Sequence, residues 1–170
     1  CFPKDTRALI DVANKYKIDL SIVKSVVKSN NQRKIILTKR IDKILNNKLK
    51  NKIITFLGVT FKPNTDDMRE ASSVPMINYL NKKGSKIRYY DPSGRKKEFD
   101  KLKNVKFYGS ISSACIKSDL IIIHTEWNAF KLLDFKRLVK KKNFKVFDMR
   151  NIYSQDKMRD LKIDYTSIGR

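Results

Sequence analysis

The amino end of the chain carries a cysteine whose surroundings could make its thiol a nucleophile. Cys1 stands just ahead of a stretch with helical spacing, and Lys4 follows three residues later. Positive potential from a lysine and from the start of a helix stabilises the thiolate, which is the reactive form of the side chain. Asp5 has two possible roles, since it could cap the first helix or could orient and deprotonate a water near the sulfur. The sequence alone leaves both roles open.

A second group of polar side chains lies within residues 61–70, Phe-Lys-Pro-Asn-Thr-Asp-Asp-Met-Arg-Glu. Lys62 in this segment and Arg150 further along could supply positive charge to an anionic ligand, and an arginine can hold a phosphate through two nitrogen atoms. Structural roles, in capping and in salt bridges to Arg69 or to the backbone, are predicted for the three acidic residues Asp66, Asp67 and Glu70.

The elements that must position these residues change in character near residue 50. Apolar residues recur at a period near 3.6 from residue 6 to about residue 48, with Asp5 and Asp19 as candidate caps of two helices. From residue 51 onward, short β-rich runs alternate with helical stretches. Strands are predicted at residues 53–57, 86–90, 105–108, 120–123, 144–147 and about 163–166, with helices at roughly 73–83, 111–117 and 130–140.

This alternation predicts an α/β fold, a Rossmann-like doubly wound parallel sheet preceded by a helical segment. The predicted domains are residues 1–50 and residues 51–170. With the strand order 3-2-1-4-5-6, a ligand would lie beyond the carboxyl ends of the first and fourth strands. The loops that follow the first, fourth and fifth strands, residues 58–63, 124–127 and 148–151, are predicted to share one ligand.

The first of these loops lacks the glycine-rich pattern of a dinucleotide site. That pattern, G-x-G-x-x-G, would follow the first strand, whereas Gly58 stands there as a lone glycine. We therefore predict that this domain does not cradle the pyrophosphate of NAD and that it holds a mononucleotide or a nucleotide sugar.

Composition excludes several classes of protein. The chain has 39 Lys plus Arg against 17 Asp plus Glu, a net charge of +22, and the 29 lysines and 10 arginines are spread along it in short clusters. That distribution favours a solvated lysine-rich surface over a nucleic-acid interface.

The longest apolar run, Leu120–Ile123, is too short to span a bilayer. Two cysteines and one histidine offer no metal cluster and favour a reducing, cytoplasmic setting, with Cys115 buried.

Several motifs together resemble the UDP-glucose 6-dehydrogenases of the UDP-glucose/GDP-mannose dehydrogenase family. In chain order they are Cys1-Phe2-Pro3-Lys4-Asp5-Thr6, the block at residues 58–70, Tyr90-Asp91-Pro92, Thr125-Glu126-Trp127, Asp148-Met149-Arg150-Asn151 and Ile168-Gly169-Arg170. The likeness extends over essentially the whole chain. It implies an NAD-dependent oxidation of UDP-glucose, in two hydride-transfer steps, that converts the sugar C6 alcohol into a carboxylate.

The resemblance also implies roles for single residues. Cys1 matches the nucleophile that captures the aldehyde as a thiohemiacetal, which then becomes a thioester, and Asp5 matches the carboxylate that handles the hydrolytic water. Lys4 and Arg69 match contacts with NAD. Contacts with the nucleotide sugar are implied for Phe61, Lys62 and Arg150, and a part in the architecture of the crevice is implied for Thr125, Glu126 and Trp127.

The chain also departs from that family, because it contains no glycine-rich NAD loop and starts at the nucleophile. We therefore expect a C-terminal fragment that is inactive alone and that pairs, in the whole protein, with an N-terminal NAD-binding domain. Residues 1–50 would complete a helical middle domain, and a homodimer is implied. A UDP-N-acetylmannosamine or GDP-mannose dehydrogenase, or a non-catalytic UDP-sugar-binding module, are the alternatives. No nucleic-acid or membrane partner is expected.

Overall fold

The computed structural model describes residues 2–169, with the side chain of Phe2 excepted. The chain divides into two compact units, one ending at Arg40 and the other beginning at Ile41. The assignment of separate roles to residues 1–50 and 51–170 stays a prediction.

Two helices open the chain, α1 over Phe2–Lys15 and α2 over Ser21–Ile44. Of the two roles left open for Asp5, capping of the first helix is excluded, because α1 begins before this residue. Its carboxylate lies in the first turn, where it interacts favourably with the positive end of the helix dipole. Asp19 lies two residues ahead of α2 and instead accepts a hydrogen bond from Lys24 Nζ at 2.9 Å.

The second unit is built on a six-stranded parallel sheet with the order β3-β2-β1-β4-β5-β6, which confirms the predicted topology. The strands are β1 Ile53–Leu57, β2 Lys86–Tyr90, β3 Val105–Phe107, β4 Leu120–Ile123, β5 Lys145–Asp148 and β6 Asp164–Ser167. All four residues of β4 are buried, as expected for a central parallel strand that is covered on both faces.

Four α-helices connect the strands: α3 Ser73–Lys82, α4 Ile111–Cys115, α5 Phe135–Val139 and α6 Gln155–Asp160. The helix predicted over residues 130–140 begins at Phe135, because Asp134 caps it by accepting a hydrogen bond from the Arg137 backbone N–H at 3.1 Å. Helix α6 and two short 3₁₀ helices, Lys97–Phe99 and Asn128–Phe130, were not predicted. Each is too short to show a helical period in the sequence.

A buried cluster beneath α4, α5 and α6 fixes these helices against the sheet. It includes Ile121 and Ile123 of β4, Phe135 of α5 and Met158 of α6. Cys115 is fully buried in the same cluster, and this burial raises the pKa of its thiol to about 12. The prediction that Cys115 is a small buried residue is therefore confirmed. None of the helices within residues 2–169 has the length and apolar character that a bilayer span requires.

Candidate functional site

Hydrogen bonds join the loops that follow β1, β4 and β5 at the carboxyl edge of the sheet. Thr125 Oγ1 donates to the carbonyl oxygen of Thr60 at 2.8 Å, which ties the β4 loop to the β1 loop. Arg150 Nε donates to the carbonyl oxygen of His124 at 2.7 Å, which ties the β5 loop to the β4 loop. The three loops therefore form one continuous rim. That they share a ligand stays a prediction.

The lone glycine after β1 is required by the close approach of two of these loops. Gly58 has a φ of +75°, and a Cβ atom added to it would lie 2.6 Å from Thr125 Cβ. Its backbone N–H donates to the Tyr90 carbonyl oxygen at 2.8 Å. The glycine thus serves contact between loops, and the site does not fit the pyrophosphate of a dinucleotide, which needs several glycines in this turn.

A buried carboxylate at the end of β2 shapes the start of the β1 loop. Asp91 is 1% exposed, and its Oδ2 accepts the backbone N–H of Val59 at 2.8 Å. Its Oδ1 accepts the backbone N–H of Ser93 at 3.0 Å. Because both oxygens bind N–H groups, the carboxylate holds two consecutive loops in fixed positions. The sequence marks Asp91 only as part of a motif and does not reveal this role.

The polar segment at residues 61–70 folds back on itself. The Phe61 backbone N–H donates to the Asp67 carbonyl oxygen at 2.9 Å. The Asp67 carboxylate accepts hydrogen bonds from Arg69 Nε at 3.0 Å and Nη2 at 2.9 Å, and from the Arg69 backbone N–H at 2.8 Å. The side-chain bonds from Arg69 are the main reason that the pKa of Asp67 is lowered to about 2. The predicted salt bridge between Asp67 and Arg69 is therefore confirmed.

The imidazole of His124 lies buried between two hydroxyl groups. Its Nε2 is 2.8 Å from Ser72 Oγ, and its Nδ1 is 3.0 Å from Thr125 Oγ1. Thr125 donates its only hydroxyl hydrogen to Thr60, so it must accept from Nδ1–H, and Nε2 must accept from Ser72. Burial, and secondarily the charge of Arg150, lower the pKa of His124 to about 3. The ring is therefore neutral, with one defined tautomer.

Arg150 holds its guanidinium at the rim through one nitrogen. Nε donates to the His124 carbonyl and lies 3.0 Å from Glu126 Oε2. Arg150 is exposed, so an anionic ligand can reach its guanidinium from solvent. Buried Asp148 supports this position, because its Oδ1 accepts the Arg150 backbone N–H at 2.9 Å.

The predicted site residues fall into three groups. Phe61 and Lys62, both exposed, and Arg150 belong to the rim loops. Arg69 belongs to the same loop as Phe61, and its side chain is 85% exposed. Lys4 and Asp5 lie in α1 of the other unit, where Lys4 Nζ is 3.2 Å from Asp5 Oδ1. Cys1 lies outside the described residues.

Sequence reasoning missed the role of His124, which connects α3 to the rim through the Ser72 contact. One signal was available: it is the sole histidine of the chain and it follows a fully apolar strand directly. Its partner Ser72 is 52 residues away in the chain, so the pattern alone could not name it.

The strand order and the charged rim define a Rossmann-like α/β domain with its ligand edge at the carboxyl ends of β1, β4 and β5. Residues 55–155 match the model of the UDP-binding domain of the UDP-glucose/GDP-mannose dehydrogenase family. The chain belongs to that family.

Individual relatives extend the match to nearly the whole chain. The UDP-glucose 6-dehydrogenase of Bacillus subtilis (strain 168) is 37% identical over 176 residues, covering 100% of this chain and 39% of the relative. The UDP-glucose 6-dehydrogenase of Rickettsia typhi is 36% identical over 172 residues, covering 99% and 40%. A solved UDP-glucose dehydrogenase from Pyrobaculum islandicum superposes with a TM-score of 0.77 at 28% identity, covering 97% of this chain and 36% of that one. The chain thus spans about 40% of the length of these curated relatives.

Proposed function

We propose that the chain is the C-terminal part of an NAD-dependent UDP-glucose 6-dehydrogenase, which oxidises UDP-glucose to UDP-glucuronate. In this proposal residues 51–170 bind the nucleotide sugar, and residues 1–50 complete a helical middle domain. The observation that carries the proposal is the likeness to UDP-glucose 6-dehydrogenases, which begins in the cysteine segment and covers 99% of the chain at 36% identity.

The rim at the carboxyl edge supplies what a nucleotide sugar requires. Lys62 and Arg150 place two cations on loops that hydrogen bonds hold together, and a diphosphate is the natural counter-charge. Phe61, at 37% exposed, offers an aromatic face to the base or the sugar. Neutral His124 adds no charge, and it holds the β4 loop in the conformation that presents its carbonyl to Arg150.

The proposed chemistry requires a nucleophile. The role of Cys1 rests on the resemblance of residues 1–6 to the cysteine motif of the family. The C6 alcohol loses a proton and a hydride to become an aldehyde, and the Cys1 thiolate adds to the carbonyl carbon as a thiohemiacetal. Loss of a second hydride leaves a thioester, which a water oriented by Asp5 hydrolyses to release the carboxylate and the thiolate. The sulfur adduct keeps the aldehyde aligned between the two oxidations.

NAD would accept both hydrides, and its main binding site belongs to a part of the protein outside this chain. The β1 loop does not fit a dinucleotide, as the single Gly58 against Thr125 indicates. Lys4 and Arg69 remain the proposed contacts of this chain with the cofactor. Arg69 is suited to this role because Asp67 holds its exposed guanidinium in one orientation.

A substrate panel on the full-length protein tests the proposal. We expect reduction of two NAD per sugar with UDP-glucose, and at least tenfold lower kcat/KM with UDP-N-acetylmannosamine or GDP-mannose, because a pocket that binds one sugar's hydroxyls leaves polar groups unpaired with another. The 170-residue chain alone should reduce no NAD, while calorimetry should detect its binding of UDP-glucose. A clear preference for another nucleotide sugar, or turnover by the chain alone, would refute the assignment.

We also propose a cytoplasmic homodimer that associates through the first unit. Apolar side chains are exposed there, including Ile22 at 79%, Ile36 at 63% and Val26 at 46% on α2. Exposed apolar surface of this kind favours association. Sedimentation of the full-length protein should give twice the monomer mass, and a monomer at micromolar concentration would contradict it.

A further inference from the structure

The fold gathers at one edge of the sheet many of the lysines that the sequence spreads along the chain. In a parallel sheet, each segment that leads from a helix into the next strand lies at the amino edge. Here these are residues 45–52, 83–85, 100–104, 116–119, 140–144 and 161–163. Hydrogen bonds join neighbouring segments, as from Asn51 N to the Gly84 carbonyl at 2.9 Å and from Lys141 Nζ to Asp119 Oδ1 at 2.7 Å.

These six segments, which we call the amino-edge face, are strongly basic. Their 28 residues include 11 lysines, no arginine and two aspartates, a net charge of +9. Both aspartates are neutralised: Asp100 pairs with Arg95 at 2.8 Å, and Asp119 pairs with Lys141 at 2.7 Å and Lys52 at 3.3 Å. All of the lysines except Lys52 are exposed. The charge of this face is therefore accessible to a partner.

The opposite edge, which carries the rim, is balanced. The segments that follow the strands, residues 58–72, 91–96, 108–110, 124–127, 149–154 and 168–169, hold five cations and five carboxylates, a net charge of zero. The surplus of positive charge in the second unit is therefore not placed to attract the nucleotide sugar. It lies at the end of the sheet that the proposed reaction does not use.

The composition of the amino-edge face selects among anionic partners. Lysine acts as a point charge and does not give the bidentate contacts by which arginine reads phosphate and bases. The sole aromatic residue of the face, Phe144, is buried, so it provides no platform for stacking bases. Two apolar side chains are exposed, Ile116 at 37% and Leu161 at 41%, and each is followed directly by a lysine. Exposed lysines beside exposed apolar side chains suit a partner whose surface carries negative charge and whose interior is apolar.

We propose that the amino-edge face docks on a bilayer of anionic phospholipids. Lysines close to such a surface are attracted to its negative potential, and short apolar side chains beside them can enter the interface. The sequence predicts no membrane partner because its longest apolar run is too short to span a bilayer. Its lysines are scattered, and only the order of elements brings them to one edge.

Docking in this orientation leaves the nucleotide site open to solvent. Five residues of β1 separate the two edges, roughly 16 Å at the usual rise per residue of a strand. The field of the bilayer decays over a Debye length of about 8 Å at physiological ionic strength. The rim therefore lies beyond its reach, and an anionic nucleotide sugar can still approach Lys62 and Arg150.

Vesicle sedimentation of the full-length protein tests the proposal. We expect binding to vesicles with about 30% phosphatidylglycerol at about 0.1 M salt, little binding to pure phosphatidylcholine, and release as salt rises to about 0.5 M. The combined change Lys48→Gln, Lys101→Gln, Lys103→Gln and Lys142→Gln should weaken binding at least tenfold. All four residues are exposed and have ordinary negative φ angles.

A matched control removes the same charge from elsewhere on the second unit: Lys97→Gln, Lys131→Gln, Lys136→Gln and Lys157→Gln, all exposed. This variant should retain binding within twofold, and circular dichroism should show the same thermal transition for both. Equal loss in the two variants would mean that net charge alone acts. Equal binding to neutral vesicles, or tighter binding to single-stranded RNA at the same salt, would also overturn the proposal.

Discussion

At the scale of single residues, the buried imidazole of His124 has the sharpest consequences. It is fully enclosed, neutral, and bound to one hydroxyl on each nitrogen. It touches no proposed ligand. It acts through the β4 loop, whose carbonyl holds Arg150. The imidazole therefore acts by holding its neighbours in position. Its protonation should destabilise the fold and disturb the rim.

The pKa of His124 predicts a loss of stability in mild acid. Burial lowers that pKa from 6.5 to about 3, so the unfolded state takes up a proton first as the pH falls. The contribution of the neutral imidazole to the free energy of unfolding is complete above pH 6.5 and is lost progressively toward pH 3. Between pH 7.5 and pH 5 the loss should be about 2 kcal/mol.

Urea unfolding of the wild type and of His124→Asn at several pH values would measure this loss. The asparagine can keep a hydrogen bond but does not titrate, so the pH dependence of the difference isolates the imidazole. The two proteins should therefore converge in stability as the solution is acidified. A constant difference from pH 7.5 to pH 5 would contradict this, because it would show that the pKa of His124 is the same in the folded and unfolded states.

At the scale of elements, the junction of the β1 and β4 loops sets the shape of the rim. Local sequence predicts that a loop follows each strand, and the order of strands predicts which loops are neighbours. The spacing between them depends on tertiary packing, since Gly58 faces Thr125 only in the folded sheet. A second glycine, Gly94, has a similar positive φ of +88° but faces open space.

Alanine substitutions at these two glycines distinguish the cost of a strained backbone from the cost of a steric clash between loops. Gly94→Ala should cost about 1 kcal/mol of stability through its left-handed backbone alone. Gly58→Ala should cost roughly 2 kcal/mol more, because the new methyl group would lie 2.6 Å from Thr125 Cβ and must push the loops apart. Urea midpoints would measure both losses. UDP-glucose affinity should fall only for Gly58→Ala, and equal effects of the two changes would mean that the loops do not pack closely.

At the scale of the whole molecule, the proposed function makes the chain one part of a longer enzyme. It spans about 40% of the length of the relatives that it matches, and its ligand edge does not fit a dinucleotide. Its two faces of contrasting charge are a balanced rim and a basic amino edge, so the proposed substrate contacts and the proposed bilayer contacts lie at opposite ends of one sheet. The proposed role of Cys1 as the nucleophile must therefore be tested by measuring catalysis in the full-length protein.

The two cysteines provide a matched pair for that test. In the full-length protein, Cys1→Ala should lower turnover of UDP-glucose by at least a thousandfold while its binding stays within twofold, because the nucleophile acts after the first oxidation. Cys115→Ala should leave kcat near its wild-type value, since the burial that raises the pKa of this thiol to about 12 keeps it protonated and inert. Retained turnover in Cys1→Ala would remove the proposed thioester route.

The sequence by itself determined the parallel sheet, its strand order and the identity of the rim loops, because apolar runs of four or five residues alternating with helices admit few topologies. Its motifs also indicated the family. Only the tertiary structure decided which hydroxyls enclose His124, why Gly58 must be a glycine, and where the lysines collect. These features depend on contacts between residues that are far apart in the chain, and local patterns of hydrophobicity and charge carry no information about such distances.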